Sequence, residues 1–311
     1  PASPWYDGES FARRGVVTVV VSYRLGFDGF GLIEGAPSNR GVRDWLAANL
    51  PKKRLKSFDT EEGFQQHREW EKVLFSGRWG NVNWPEEYGG RGLDQTHWLI
   101  FEEEYYRADA PLRVSQNGIF LLAPTIMEYG TDAQKARFLP PMASGEEIWA
   151  QAWSEPGAGS DMAAIRSKAV RDGDHYVING QKTWSSRAVF ADWCFALVRT
   201  EDGSARHKGL SKLLIPLDAP GLTRRPIAQL DGDPGFAELF FDEVRVPVEN
   251  LLGPEHGGWG VAMARASSRE STSIRQSTGP KTSSCMISMS SLMLDNIVGE
   301  TKRLSRSTLP P

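Results

Sequence analysis

With 311 residues, 36 Lys plus Arg against 39 Asp plus Glu and a net charge of −3, the chain has room for two domains, and its scattered basic residues give nucleic acid no footprint. Its longest apolar run, Val16 to Val21 with Thr18 inside it, falls far short of the ~20 residues a membrane-spanning helix needs. Cys194 and Cys285 have no metal or redox spacing and no signal peptide is visible, which predicts a reducing, cytoplasmic setting.

The first segment, GVVTVVVSYRLG at Gly15 to Gly26, reads as a buried strand that stops at a glycine turn. Gly8-Glu9-Ser10 begins like a nucleophile elbow, but G-x-S-x-G needs glycine where Ala12 stands. Helical signals follow. Asp59 with Glu62 has better capping-box spacing than Thr60 with Gly63, and Phe64, His67, Trp70, Val73 and Leu74 then recur at helical spacing. His67 has no partner at metal spacing and reads as a packed side chain. Further helices are expected over about Gln95 to Ala108 and Asn117 to Tyr129. A capping box at Thr131 and Gln134 opens another, which Pro140-Pro141 should end. Glu102 to Glu104 read as a solvated face, and Lys52-Lys53-Arg54 as a solvated helix end.

Beyond Ile148 strands dominate: Ile165 to Asp172, Tyr176 to Trp184, Trp193 to Thr200, Leu210 to Pro216, Gly221 to Gln229 and Ala237 to Val244. Short strands broken by Gly, Asp and Pro predict a small barrel or sandwich. Cys194, inside DWCFALV, reads as packing. Before these strands lies SEPGAGSD, Ser154 to Asp161. Gly157 and Gly159 there let a backbone approach a flat or phosphorylated ligand, and Ser154 and Ser160 add hydroxyl donors. Asn179-Gly180 predicts a type I′ hairpin that carries Trp184, Ser185 and Ser186 back beside that loop. An indole and two hydroxyls by a glycine loop suit an aromatic ring system with a polar rim. The plainer alternative is a Gly-rich turn and an ordinary hairpin. The chain has neither a phosphate-loop nor a dinucleotide fingerprint. GGWGVAMARA starts a helix after Glu255. From Ser271 onward, ten serines and five threonines in 41 residues read as a disordered tail.

WSEPGAGSD followed by NGQKTW resembles the flavin-binding middle domain of the acyl-CoA dehydrogenases. The resemblance runs from about Val42 to about Ala264. It includes WPEEYGGRG at Trp84 to Gly92, YGTDAQKARFLPPMASGE at Tyr129 to Glu146 and FFDEVRVPVENLLG at Phe240 to Gly253. Trp153 departs from the aliphatic residue usual in that signature. The implied fold is α+β: an all-α helical domain over residues 46–147, then a small antiparallel β-barrel over 148–254. The family's C-terminal four-helix bundle is missing, and residues 255–311 hold only the start of a helix and the tail.

Residues 1–45 resemble a strand-and-loop fragment of a type-B carboxylesterase, through SPWYDGESFARRGVVTVVVSYRLGFDGF and NRGVRDW. A fusion joined at about residues 42–48 is the expectation. The fragment carries no nucleophile, oxyanion loop or acid–histidine pair.

The dehydrogenase resemblance implies α,β-dehydrogenation of acyl-CoA thioesters. A glutamate base takes the Cα proton, the Cβ hydride passes to N5 of FAD, and electrons go on to an electron-transfer flavoprotein. The family forms homo-oligomers. By motif position, Gln151, Ala152, Trp153 and Ser154 would lie along the flavin ring and ribityl chain. Gly159 and Ser160 would approach the cofactor, and Ser160 would also meet acyl-CoA. Trp184 would cover the ring face, with Ser185 and Ser186 donating near N5. The base is expected in the missing bundle. Glu270 stands one residue early, and a shift of one helical residue turns a side chain by about 100°, so it is not assigned the role. The resemblance therefore implies a truncated dehydrogenase, inactive alone. The alternatives are an esterase-type fragment or a non-enzymatic chimeric or frameshifted product.

Overall fold

In the computed structural model, which describes residues 40–230 and 232–264, the chain forms two compact units. The expectations for residues 1–39, Cys285, Glu270 and the serine-rich tail lie outside the described residues. Residues 40–45 of the esterase-like stretch open a helix, α1 (Arg40–Asn49).

The first unit pairs residues 40–52 with 93–110, and so α1 with α3 (Gln95–Arg107). Asp94 caps α3 by accepting from the His97 amide at 3.0 Å. Glu104 is not on a solvated face. It is 3% exposed, and both its oxygens accept from Arg43, each at 2.7 Å, while Arg107 adds a third bond at 2.8 Å. The bidentate guanidinium supplies the donors that let this carboxylate leave water.

The second unit holds residues 53–92 and 111–264. Its first helix, α2 (Glu61–Ser76), is capped by Thr60, whose Oγ1 accepts from the Gly63 amide at 3.1 Å. Asp59, the residue favoured by spacing, accepts instead from Arg187 at 2.8 Å. The pull of a guanidinium 128 residues away outweighs a local cap. His67 is buried as expected, its ring nitrogens on the carbonyls of Leu112 (2.5 Å) and Lys56 (3.1 Å). A π-helix, Asn117–Leu122, runs into α4 (Ala123–Tyr129). The Thr131–Gln134 box opens α5 (Asp132–Ser144) with reciprocal bonds of 3.0 and 3.1 Å. Pro140 and Pro141 do not end α5. The buried Leu139, Met142 and Ala143 hold its last turn in the core, and Gly145 at φ 77° stops it.

Among the described residues eight strands follow: β1 (Trp149–Ala152), β2 (Lys168–Asp172), β3 (His175–Ser186), β4 (Trp193–Arg199), β5 (Leu210–Pro216), β6 (Leu222–Ile227), β7 (Phe236–Pro247) and β8 (Leu251–Leu252). Their order is β6-β7-β3-β2-β4-β5-β8, with β1 on β4. The sheet is mixed, not wholly antiparallel. One edge of β4 is shared in succession by β1, along residues 193–196, and by β2, at Arg199, both parallel to it. This happens because β1 and β2 are joined by the long Trp153–Ser167 connection instead of a hairpin. The sheet is barrel-like but not closed, β6 and β8 standing at the ends of the order. Ile178, Cys194, Ala196, Leu213, Leu239 and Val244 fill its interior, while Trp149, Phe195 and Leu214 face Ile126, Phe138 and Met142 of the helices. Both faces of β4 are thus covered, which is why DWCFALV shows no alternation. The last helix among the described residues, α6 (Gly258–Ala264), packs on β5.

The expected hairpin at Asn179-Gly180 does not form. β3 runs straight through it, and the β2–β3 turn lies at Gly173-Asp174, with Gly173 at φ 63° and Asp172 paired to His175. Between Ile178 and Gly180, β3 advances two residues while β7 advances three, so β7 bulges, with Glu243 at φ 53°. Asn179 holds that bulge. Its Oδ1 accepts from the Glu243 amide at 3.0 Å and its Nδ2 donates to the Glu243 carboxylate at 2.6 Å. Gly180 is glycine because a Cβ would come within 2.4 Å of Ser167 Oγ. Among the described residues no helix is long and apolar enough to cross a membrane.

Candidate functional site

Gln151 and Ala152 end β1, in register with Phe195 and Ala196 of β4. The chain then leaves the sheet. Trp153 packs edge-on against Phe195, with ring centroids 6.1 Å apart, and its Nε1 is buried with no hydrogen-bond partner. Glu155 and Ala158 exchange backbone bonds of 3.1 and 3.0 Å, so Pro156-Gly157 form the tip of a tight turn. At Gly157 and Gly159 an added Cβ would meet nothing within 4 Å. These glycines avoid no clash inside the chain; they leave the loop's outer face open. Gly159 and Ser160 are exposed beyond the turn and make no hydrogen bond to β3 among the described residues.

The other half of the site is a second bulge, at the end of β3. Between the pairs Lys182–Leu239 and Ser185–Ala237, β3 advances three residues and β7 two. The extra residue reverses the alternation. Trp184, which strict alternation would bury with Tyr176 and Ile178, takes φ 56° and turns outward, 57% exposed and edge-on to Phe236 at 5.9 Å. Ser185 turns inward, 1% exposed, and its Oγ is buried without a partner. Ser186 is half-buried, its carbonyl accepting from Asn117 of the π-helix at 3.3 Å. The Thr183 amide donates to the Ser154 carbonyl at 2.9 Å, and this bond joins the two halves. Trp184 to Ser186 therefore stand beside the glycine loop, brought there by a bulged strand and not by a hairpin.

Sequence reading missed the pair beneath the loop. Lys182 is fully buried, and its Nζ donates to the carbonyls of Trp153 (3.1 Å) and Leu197 (2.6 Å) and to Glu155 Oε1 (2.8 Å). Glu155 also accepts from the amides of Arg166 (2.7 Å) and Ser167 (2.9 Å). Burial lowers the Lys182 ammonium to about 8 against the pull of Glu155. Burial pushes the Glu155 carboxyl up, but Lys182 and the amide donors together hold it below the usual carboxylate range. A signal was present: Lys182 has the strand parity of the buried Tyr176 and Ile178. Nothing in the sequence marked Asn117.

An open glycine turn, an outward indole and a buried hydroxyl with no partner fit a planar aromatic group with a hydrogen-bonding rim. Among the described residues no three His, Cys, Asp or Glu side chains group as metal ligands.

The acyl-CoA dehydrogenase N-terminal domain matches residues 39–146, and the acyl-CoA dehydrogenase middle domain matches residues 150–244. Residues 39–244 belong to the acyl-CoA dehydrogenase family. The acyl-CoA dehydrogenase IpdE1 of Mycobacterium tuberculosis is 48% identical over 229 residues, 72% of this chain and 60% of the relative. The chain thus spans about three fifths of that relative's length. The ChsE4-ChsE5 complex of Mycobacterium tuberculosis superposes with a TM-score of 0.65 at 35% identity, over 81% of this chain and 62% of that one. An acyl-CoA dehydrogenase complexed with FAD from Bacillus anthracis does so with a TM-score of 0.61 at 27% identity, over 73% and 39%. The acyl-CoA dehydrogenase match begins at residue 39, inside the stretch read as esterase-like.

Proposed function

We propose that this chain carries the flavin-facing wall of an FAD-dependent acyl-CoA dehydrogenase, with residues 46–147 as the helical domain and 148–254 as the β domain. The observation that carries the reading is the second bulge. It exposes an indole and buries a hydroxyl that has no partner, beside an open glycine turn, within the stretch that matches the family's middle domain. When bound, FAD would supply the hydride acceptor for the Cβ hydrogen of an acyl thioester.

The chain's own residues would bind and orient. The backbone of Gln151 to Ser154 would lie along the ring system and its ribityl chain. Trp184 would cover one ring face and shield it from water. The Ser185 hydroxyl, with its hydrogen uncommitted, would donate to the ring's polar rim together with Ser186, where reduction builds negative charge. The open backbone at Gly159 lets the cofactor approach, and Ser160 would meet both cofactor and acyl-CoA.

The proton-abstracting base is assigned to none of the described residues. Without one, the general-base contribution of about 10²–10⁴-fold is lost. On this reading residues 40–264 by themselves are expected to leave acyl-CoA unoxidised. Electron-transfer flavoprotein as acceptor and a second acyl-CoA dehydrogenase chain as partner belong to the same reading.

The test is a titration of the purified chain with FAD, followed by quenching of flavin fluorescence. Saturable binding that weakens in Ser185→Ala and Trp184→Ala supports the reading, and equal quenching by all three proteins sinks it. Hydrolysis of p-nitrophenyl acetate that disappears in Ser10→Ala would move the function to residues 1–45.

A further inference from the structure

The fully buried ammonium of Lys182 has three hydrogens and meets three acceptors: the carbonyls of Trp153 and Leu197 and one oxygen of Glu155. Glu155 also accepts from the amides of Arg166 and Ser167. Both ends of the connection between β1 and β2, Trp153–Glu155 and Arg166–Ser167, are thereby gathered on one ion pair. That pair is anchored to β4 through Leu197. The residues between them, Pro156 to Ile165, include the open glycine turn.

We propose that Lys182 is a positioning residue: it staples this connection to the sheet, and flavin retention depends on the staple. The proposal rests on the flavin reading above. A neutral lysine has only two hydrogens, so deprotonation leaves one of the three acceptors unmet, but the burial of the charge outweighs that cost and the Lys182 ammonium is lowered to about 8. The charged or titratable groups facing Lys182 are Glu155 of the loop and Cys194 of β4, and its partner on β7 is the apolar Leu239. Burial pushes the Cys194 thiol up to about 12, so it remains neutral while Lys182, lowered to about 8, titrates. Exposing Lys182 would restore its ordinary value of 10.5, so opening of the staple takes up a proton and becomes harder as pH rises above about 8.

Removing only one member of a buried pair strands the other charge, so the variant of choice is Lys182→Met with Glu155→Gln, in the full chain. Hydrogen exchange without ligand reads the staple, and FAD titration reads its consequence. Peptides covering residues 153–167 should exchange at least about tenfold faster in the double variant, with β5 peptides unchanged, and FAD affinity should fall about tenfold. In the wild type, exchange over residues 153–167, corrected for the intrinsic pH dependence of amide exchange, should slow between about pH 7 and pH 9.5, and the double variant should show no such change. This pH arm needs no variant and stands if the variant fails to fold. Unchanged exchange over 153–167, or faster exchange throughout the sheet, overturns the proposal, as does loop-specific loosening with unchanged FAD affinity. If the wild type binds no FAD at any pH, the flavin reading fails, and the cofactor half of this proposal fails with it. Loop-specific exchange would still decide the staple.

Discussion

Trp184 sits at φ 56°, a left-handed value that costs an L-residue about 1–2 kcal/mol, and more than half of it is exposed, with Phe236 edge-on to its indole. Folding gains little from that placement, so the residue separates stability from binding. Trp184→Gly should leave the melting temperature by circular dichroism unchanged or raised, because glycine takes positive φ freely. The same variant should weaken FAD binding about three- to tenfold, the usual worth of one aromatic contact. Gly180 is the opposite case. At φ 149°, with Ser167 Oγ 2.4 Å from where a Cβ would stand, Gly180→Ala should lower the urea-unfolding free energy by about 2–3 kcal/mol. Cys194 is fully buried and its thiol is pushed up to about 12. Its peptide should remain unlabelled by iodoacetamide in the native protein and react fully in guanidinium, as mass spectrometry would show.

At the scale of elements, caps and bulges decide where helices and strands start and turn. Thr60→Ala removes the bond that caps α2 and should cost about 1 kcal/mol in urea unfolding, whereas Asp59→Ala should show no cap effect and should instead release Arg187. Much of this was legible in the sequence. The six strands seen in the sequence all form, the Thr131–Gln134 box forms as spaced, and His67 and Cys194 pack. The misses share one cause: a partner distant in the chain. Asn179-Gly180 has the local chemistry of a turn, but pairing with both β2 and β7 keeps β3 extended, and Glu243 claims the asparagine. Pro140-Pro141 would end an isolated helix, yet the core holds the final turn of α5. Glu104 became buried through Arg43, 61 residues upstream. The loop and the Trp184–Ser186 segment were visible as motifs. The bulge that turns Trp184 out depends on the register with β7, and the staple beneath the loop joins Glu155 to a lysine 27 residues later.

For the molecule as a whole, Lys182 links protons to folding. Its folded value of about 8 lies below the ordinary 10.5, so between these limits the unfolded chain binds more protons. Stability from this group is flat below about pH 8 and rises toward pH 10.5. Urea midpoints should therefore carry a positive slope in that window that disappears in Lys182→Met/Glu155→Gln. The outer end of the sheet has its own consequence. β6 is the last strand in the order among the described residues, and its sequence, LTRRPI, sets exposed Arg224 and Arg225 beside Pro226. A proline withholds one donor from any strand added there, and the Arg224 charge repels a second copy of itself, while Arg225 is neutralised by Glu238 of β7. Among the described residues this margin of the sheet is thus a poor template, and concentrated native protein should not polymerise through β6 into fibrils.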